Sequence, residues 1–136
     1  MITFDDVSVE YPNGTAALRN ISLNIQPHEF VSIVGHSGAG KSTLIKLLIK
    51  EEIQTAGKII VGNVDYDTID KAHIPFLRRR IGVVFQDFKL LPNLTVRENI
   101  AFALEVAGVR TREIKRAVPK ILDLVGLSDR IESVVT

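Results

Sequence analysis

The sequence predicts an α/β fold organised around one sharp junction, where an apolar strand passes through a glycine-rich turn into an apolar helix. Three observations carry this expectation. "FVSIV" at 30–34 is almost wholly apolar, which suits a strand covered on both faces. "GHSGAGKS" at 35–42 follows at once, with three glycines. From Lys41 to Lys50 come Leu44, Ile45, Leu47, Leu48 and Ile49, a helical run rich in apolar side chains.

The other elements follow in chain order. "ITFDDVSVEY" at 2–11 alternates in its second half and predicts a strand, and "PNG" at 12–14 is a turn signal. In "ALRNISLNIQ" at 17–26, Leu18, Ile21, Leu23 and Ile25 predict a second strand, which Pro27 ends. The two read as an antiparallel pair. "GKIIVG" at 57–62 is a further strand, and 68–80 holds one or two short helices around a proline. "IGVVF" at 81–85 reads as a second buried strand, followed by a loop at 86–95. Thr95 with Glu98 three residues later forms a capping box, which opens a helix through Val106. A last helix runs from Thr111 to Val125 and stops at Gly126, with Pro119 expected to kink it or force a restart.

A chain of 136 residues is long enough for one domain with a real core, and 1–136 shows neither a repeat nor an obvious linker. A net charge of +1 gives no basic excess for bulk nucleic-acid binding, so no nucleic-acid partner is expected. The absence of cysteine excludes disulfides, thiol catalysis and Cys-based metal sites. His28, His36 and His73 are scattered without ligand-like spacing. No apolar run approaches the roughly 18 residues of a membrane span. The acidic, alternating N-terminus is unlike a signal peptide. A cytoplasmic protein that reaches the membrane only through a partner is therefore expected.

Gly35 to Ser42 fits G-x-x-x-x-G-K-[ST], and the flanking strand and helix give the short pattern its context. Gly35, Gly38 and Gly40 let the backbone wrap oxygens without Cβ clashes. Consecutive N–H groups, including those of Ser37 and Ala39, then form an anion nest, to which the helix adds its positive end. Lys41 reaches the outer phosphates, Ser42 offers a hydroxyl to Mg²⁺, and Thr43 completes the grip. His36 reads as a solvent-facing filler within the loop.

With these residues in place, the sequence resembles the nucleotide-binding domains of ABC ATPases, from "ITFDDVSVEY" through "STLIKLL". The resemblance implies ATP and Mg²⁺ as cofactors. It gives Tyr11 an adenine-stacking role, consistent with the flat face of a tyrosine beside a turn. "VVFQDF" resembles the family's glutamine loop, which implies that Gln86 coordinates Mg²⁺ and that its loop meets a transmembrane partner. Residues 74–106, with the Leu-Arg-Arg run and "VFQDFKLLP", are similar to the cell-division branch of the family, the FtsE-like proteins. That implies an FtsX-like integral membrane partner, control of peptidoglycan hydrolysis, a homodimer in the parent protein, and a peripheral position on the inner face of the membrane. His36 departs from the proline common in this loop. Arg78–Arg80 reads equally as a solvated face or a partner contact. A lipoprotein or solute transporter ATPase and a self-associating nucleotide module are the alternatives.

The family's Leu-Ser-Gly-Gly-Gln signature, acidic Walker B strand and switch histidine are not in this sequence. The chain therefore reads as the N-terminal part of an ABC-type nucleotide-binding domain, with an antiparallel β subdomain and the start of a helical one. No catalytic residue is assigned. Asp87 is the one acidic candidate near Gln86, and its neighbours show no metal-binding pattern. Nucleotide binding without turnover is expected. The strands at 30–34 and 81–85 are expected to flank an empty slot, which would leave an incomplete sheet, rearranged or swapped, and favour a homo-oligomer.

Overall fold

The structure is a computed structural model and describes residues 1–135. The backbone groups into two compact units, Met1–Ile81 and the segment from Gly82 onward.

In the first unit, β1 (Ile2–Glu10) and β2 (Ala16–Ile25) form the expected antiparallel pair. The turn between them closes through Tyr11 N–H to Thr15 O at 2.9 Å and Gly14 N–H to Tyr11 O at 2.8 Å. β3 (Ala56–Val61) pairs with the other edge of β1, and the two-residue β4 (Val64–Asp65) pairs with β3. The sheet order is β2-β1-β3-β4, antiparallel throughout.

The alternation in β1 slips at Asp5–Asp6 because the register shifts between Phe4 and Val7. Asp6 there has φ 53°, and Asn20 on β2 has φ 48°. Asn20 Nδ2 donates to Asp6 Oδ1 at 2.8 Å, and the Asn20 N–H donates to Ser8 Oγ at 2.9 Å. The bulge resets the pleat so that Phe4, Val7 and Val9 all face inward. Gly57 meets the bulge from β3: a Cβ there would lie 2.3 Å from the Asp6 carbonyl oxygen.

Helix α1 (Lys41–Leu48) contributes buried Leu44 and Leu47 to the same core, with Leu18, Ile59 and Tyr66. Lys50, at φ 50°, ends the run that the sequence extends to that residue. The mixed segment resolves into 3₁₀ turns at Tyr66–Thr68 and Lys71–His73 and a short α2 (Ile74–Arg78) with Pro75 in its first turn.

The second unit pairs α3 (Val96–Val106) with α4 (Thr111–Leu124). Thr95 and Glu98 form the predicted capping box, the carboxylate accepting from Thr95 N–H at 2.7 Å. Those bonds from Thr95 hold the Glu98 carboxyl below its usual range. Ile114, Val118 and Leu122 recur every fourth residue and form the buried stripe of α4, packed by Val96, Ile100 and Leu104. α4 runs unbroken through Pro119, contrary to a restart. Pro119 is exposed, so the Lys115 carbonyl it leaves without an intrahelical donor lies where water can serve it.

The strands predicted at 30–34 and 81–85 do not form; both segments are irregular. Phe30 is 94% exposed, Val34 86% and Val84 92%, the reverse of the burial their composition predicts. A strand exists only as part of a ladder, and among the described residues no strand lies beside either segment. Among the described residues the sheet is thus the antiparallel one alone.

Candidate functional site

The turn between the irregular 30–34 segment and α1 carries the glycine-rich loop where the grip is expected. Gly38 (φ 81°) and Gly40 (φ 85°) are both left-handed, as a glycine-dependent loop requires. Gly40 is constrained twice, since a Cβ there would lie 2.5 Å from the Ala17 carbonyl oxygen and 2.6 Å from Leu18 Cδ2. Gly35 differs: its φ is not left-handed, and a Cβ would sit 3.2 Å from that of Ala39.

The Lys41 side chain folds back over the loop. Its Nζ donates to Gly35 O at 2.8 Å and to His36 O at 2.7 Å. The first backbone bond within the helix runs from Leu44 N–H to Gly40 O at 3.1 Å. The N–H groups of Lys41, Ser42 and Thr43 therefore have no acceptor inside the helix. One turn thus gathers an ammonium, free helix-end donors and two left-handed glycines, and it contains no carboxylate. Ser37, Ala39 and Ser42 are exposed along it. His36 is exposed as expected and donates from Nδ1 to Ser37 O at 2.8 Å, which makes it a strut of the loop.

Thr43 points the other way. It is buried, and its Oγ1 lies 3.5 Å from Tyr11 Oη. Tyr11 is half-buried against the core of the first unit, so the hairpin brings it to the base of the loop.

Gln86 belongs to the second unit, exposed in a turn over 86–89. Phe88 and Lys89 in this turn adopt φ 54° and 49°, two consecutive left-handed residues without a glycine. Asp87 is ion-paired with Lys89 at 2.6 Å, and that bond holds its carboxyl below the usual range. The loop's far end is pinned by Asn99 of α3, which accepts from Leu91 N–H at 2.7 Å and donates to Leu91 O at 3.2 Å. An asparagine within an apolar helical run is the one sequence signal that could have disclosed this clamp.

At the opposite end of α1, Tyr66 Oη donates to Leu48 O at 2.7 Å, and Arg78 donates from Nε to Ile49 O at 2.8 Å and from Nη2 to Lys50 O at 3.2 Å. The Lys50 ammonium bonds the Tyr66 carbonyl. Arg78, though exposed, is thus bonded to these carbonyls, whereas Arg79 lies over the exposed Phe76 ring at 5.3 Å.

The loop fits a phosphate group, because its ammonium, helix end and Cβ-free cradle all favour an anion. No cluster of three or more His, Cys, Asp or Glu that could hold a metal occurs among the described residues, so a cation here needs ligands of another kind. No helix among them is long and apolar enough to cross a membrane.

Comparison with known proteins agrees with this geometry. The cell-division ATP-binding protein FtsE of Bacillus subtilis (strain 168) is 55% identical over 130 residues, spanning 96% of this chain and 57% of that protein. FtsE of Escherichia coli (strain K12) is 44% identical over 133 residues, 98% of this chain and 60% of its own. The chain therefore spans less than two thirds of the length of these relatives. Among solved structures, the dimeric post-hydrolysis state of the ATP-binding cassette MJ0796, bound to ADP and Pi, superposes with a TM-score of 0.84 at 32% identity, over 97% of this chain and 60% of that one. The family model described as ABC transporter matches residues 18–136, from within β2 through the loop and both later helices, and the chain belongs to that family.

Proposed function

We propose that this chain carries the nucleotide grip of an ATPase that works in cell division. The carrying observation is the Lys41 ammonium, held at 2.8 and 2.7 Å from two carbonyls of a loop whose shape depends on Gly38 and Gly40. The ligand is ATP with Mg²⁺. Residues 35–43 surround the phosphates, Thr43 doing so through its backbone N–H because its hydroxyl is turned toward Tyr11. Tyr11 offers its ring to the base. Ser42 and Gln86 are the metal ligands this chain supplies. Bound Mg²⁺ neutralises phosphate charge, and Lys41 shares that work. The membrane partner is an FtsX-like integral protein, met through the loop that carries Gln86, and the parent works as a homodimer on the inner face of the membrane. The high identity to FtsE proteins supports this choice over a solute transporter.

The chain itself binds nucleotide without turning it over. Asp87, the nearest acidic neighbour of Gln86, is paired with Lys89. A charge-assisted hydrogen bond contributes roughly 1.5–3 kcal/mol. Lys41→Ala is therefore expected to weaken ATP binding about tenfold or more in calorimetry. Phosphate release is expected to stay at background for both proteins. Equal affinities would overturn the grip. Release above background that disappears with Lys41→Ala would overturn the absence of turnover.

The exposed 30–34 stretch also bears on the chain's state in solution. Its apolar side chains and unladdered backbone form a template for pairing. Association into dimers or larger species is expected by light scattering at low micromolar concentration; a stable monomer would refute it.

A further inference from the structure

We propose that Arg78 is a positioning residue of the nucleotide site, acting along the whole of α1; the inference rests on the nucleotide reading above. α1 is only eight residues long. Its first N–H groups face the phosphate loop, and its last carbonyls need partners from elsewhere. Some find them locally: Ile45 O accepts from Ile49 N–H, Leu47 O from Lys50 N–H, and Lys46 O from Glu51 N–H. The fourth, Leu48 O, accepts from Tyr66 Oη, and the carbonyls of the next two residues, Ile49 and Lys50, just past the helix, accept from Arg78 Nε and Nη2. Arg78 is the cation that fastens the chain as it leaves α1, where the helix dipole is negative.

Helix formation is cooperative, and two turns are too few to persist on their own. In a helix this short, the fastening of its exit also supports its first turn. Loss of the Arg78 anchor is therefore expected to loosen the Lys41–Thr43 turn at the far end, although the guanidinium bonds no residue of the loop. Arg78 also ends α2, three residues before the close of the first unit, so the chain leaving that unit is anchored to the helix that grips phosphate.

The test is hydrogen exchange on the whole chain without ligand, together with calorimetry using ATP and inorganic pyrophosphate. Arg78→Ala is expected to speed exchange about fivefold at residues 46–50 and also at 38–44, with β1 and β2 amides unchanged. Affinity for both ligands is expected to fall by a similar factor. Arg78→Lys, which keeps one cationic donor, is expected to restore part of each. Faster exchange confined to 46–50 would overturn the inference. So would an equal rise in β1 and β2, since that is general destabilisation, or unchanged affinity in a protein whose Lys41→Ala variant loses binding. If Lys41→Ala changes nothing, the nucleotide reading fails, and exchange at 38–44 still decides whether Arg78 orders the loop.

Discussion

Tyr66→Ala is expected to remove about 5 kcal/mol from the stability of the first unit. Tyr66 has no exposed surface and lies in the core formed by the sheet and α1. Truncating a buried aromatic costs about 3–5 kcal/mol through lost burial and the cavity left behind. Loss of the hydroxyl strands the Leu48 carbonyl, at a further 1–3 kcal/mol or so. The sum approaches the whole stability of a small domain, typically about 5–15 kcal/mol. Urea denaturation followed by far-ultraviolet circular dichroism should show the first transition almost abolished. A midpoint near that of the unaltered chain would mean that the core is closed by other residues. Burial also pushes the Tyr66 hydroxyl above its usual pKa. Its contribution is therefore complete below the ordinary tyrosine value of about 10 and declines as the pH rises through the raised one. Tyr66→Phe should lack this alkaline loss while remaining folded.

Gly40→Ala is expected to reduce ATP affinity roughly a hundredfold. A residue other than glycine at φ 85° costs about 1–3 kcal/mol in backbone strain alone. The added methyl would also overlap the Ala17 carbonyl at 2.5 Å and Leu18 at 2.6 Å. The Ala17 oxygen belongs to β2 and cannot give way without disturbing the sheet. The loop must therefore leave its conformation, and a binding-competent fraction of about 1% lowers affinity by the same factor. Calorimetry with ATP measures it. Gly62→Ala, whose Cβ would meet nothing within 4 Å although φ is 64°, is the matched control for left-handed strain in the same unit away from the site. Comparable losses in both variants would place the effect in general destabilisation, not in the loop.

The local signals were legible without any structure. The G-x-x-x-x-G-K-S spacing places a left-handed glycine, Gly40, and a lysine at the start of a helix, a pattern readable within eight residues. The Thr95–Glu98 capping box and the four-residue repeat of Ile114, Val118 and Leu122 are local in the same way. The β1–β2 hairpin was visible because its turn and both alternations lie within 25 residues.

Tertiary structure decided the rest. "FVSIV" and "IGVVF" have the composition of buried strands, but a strand needs a neighbour to bond, and none is present among the described residues. Arg78 read with its neighbours as either a solvated face or a partner contact, and the fold sets it against carbonyls 28 and 29 residues away in the chain. Thr43 belonged to the loop by motif, yet the hairpin turned its hydroxyl inward toward Tyr11. In each case the deciding partner is distant in sequence. Spacing therefore specified the loop and the start of its helix, and only long-range packing specified which groups lie against the two ends of that helix.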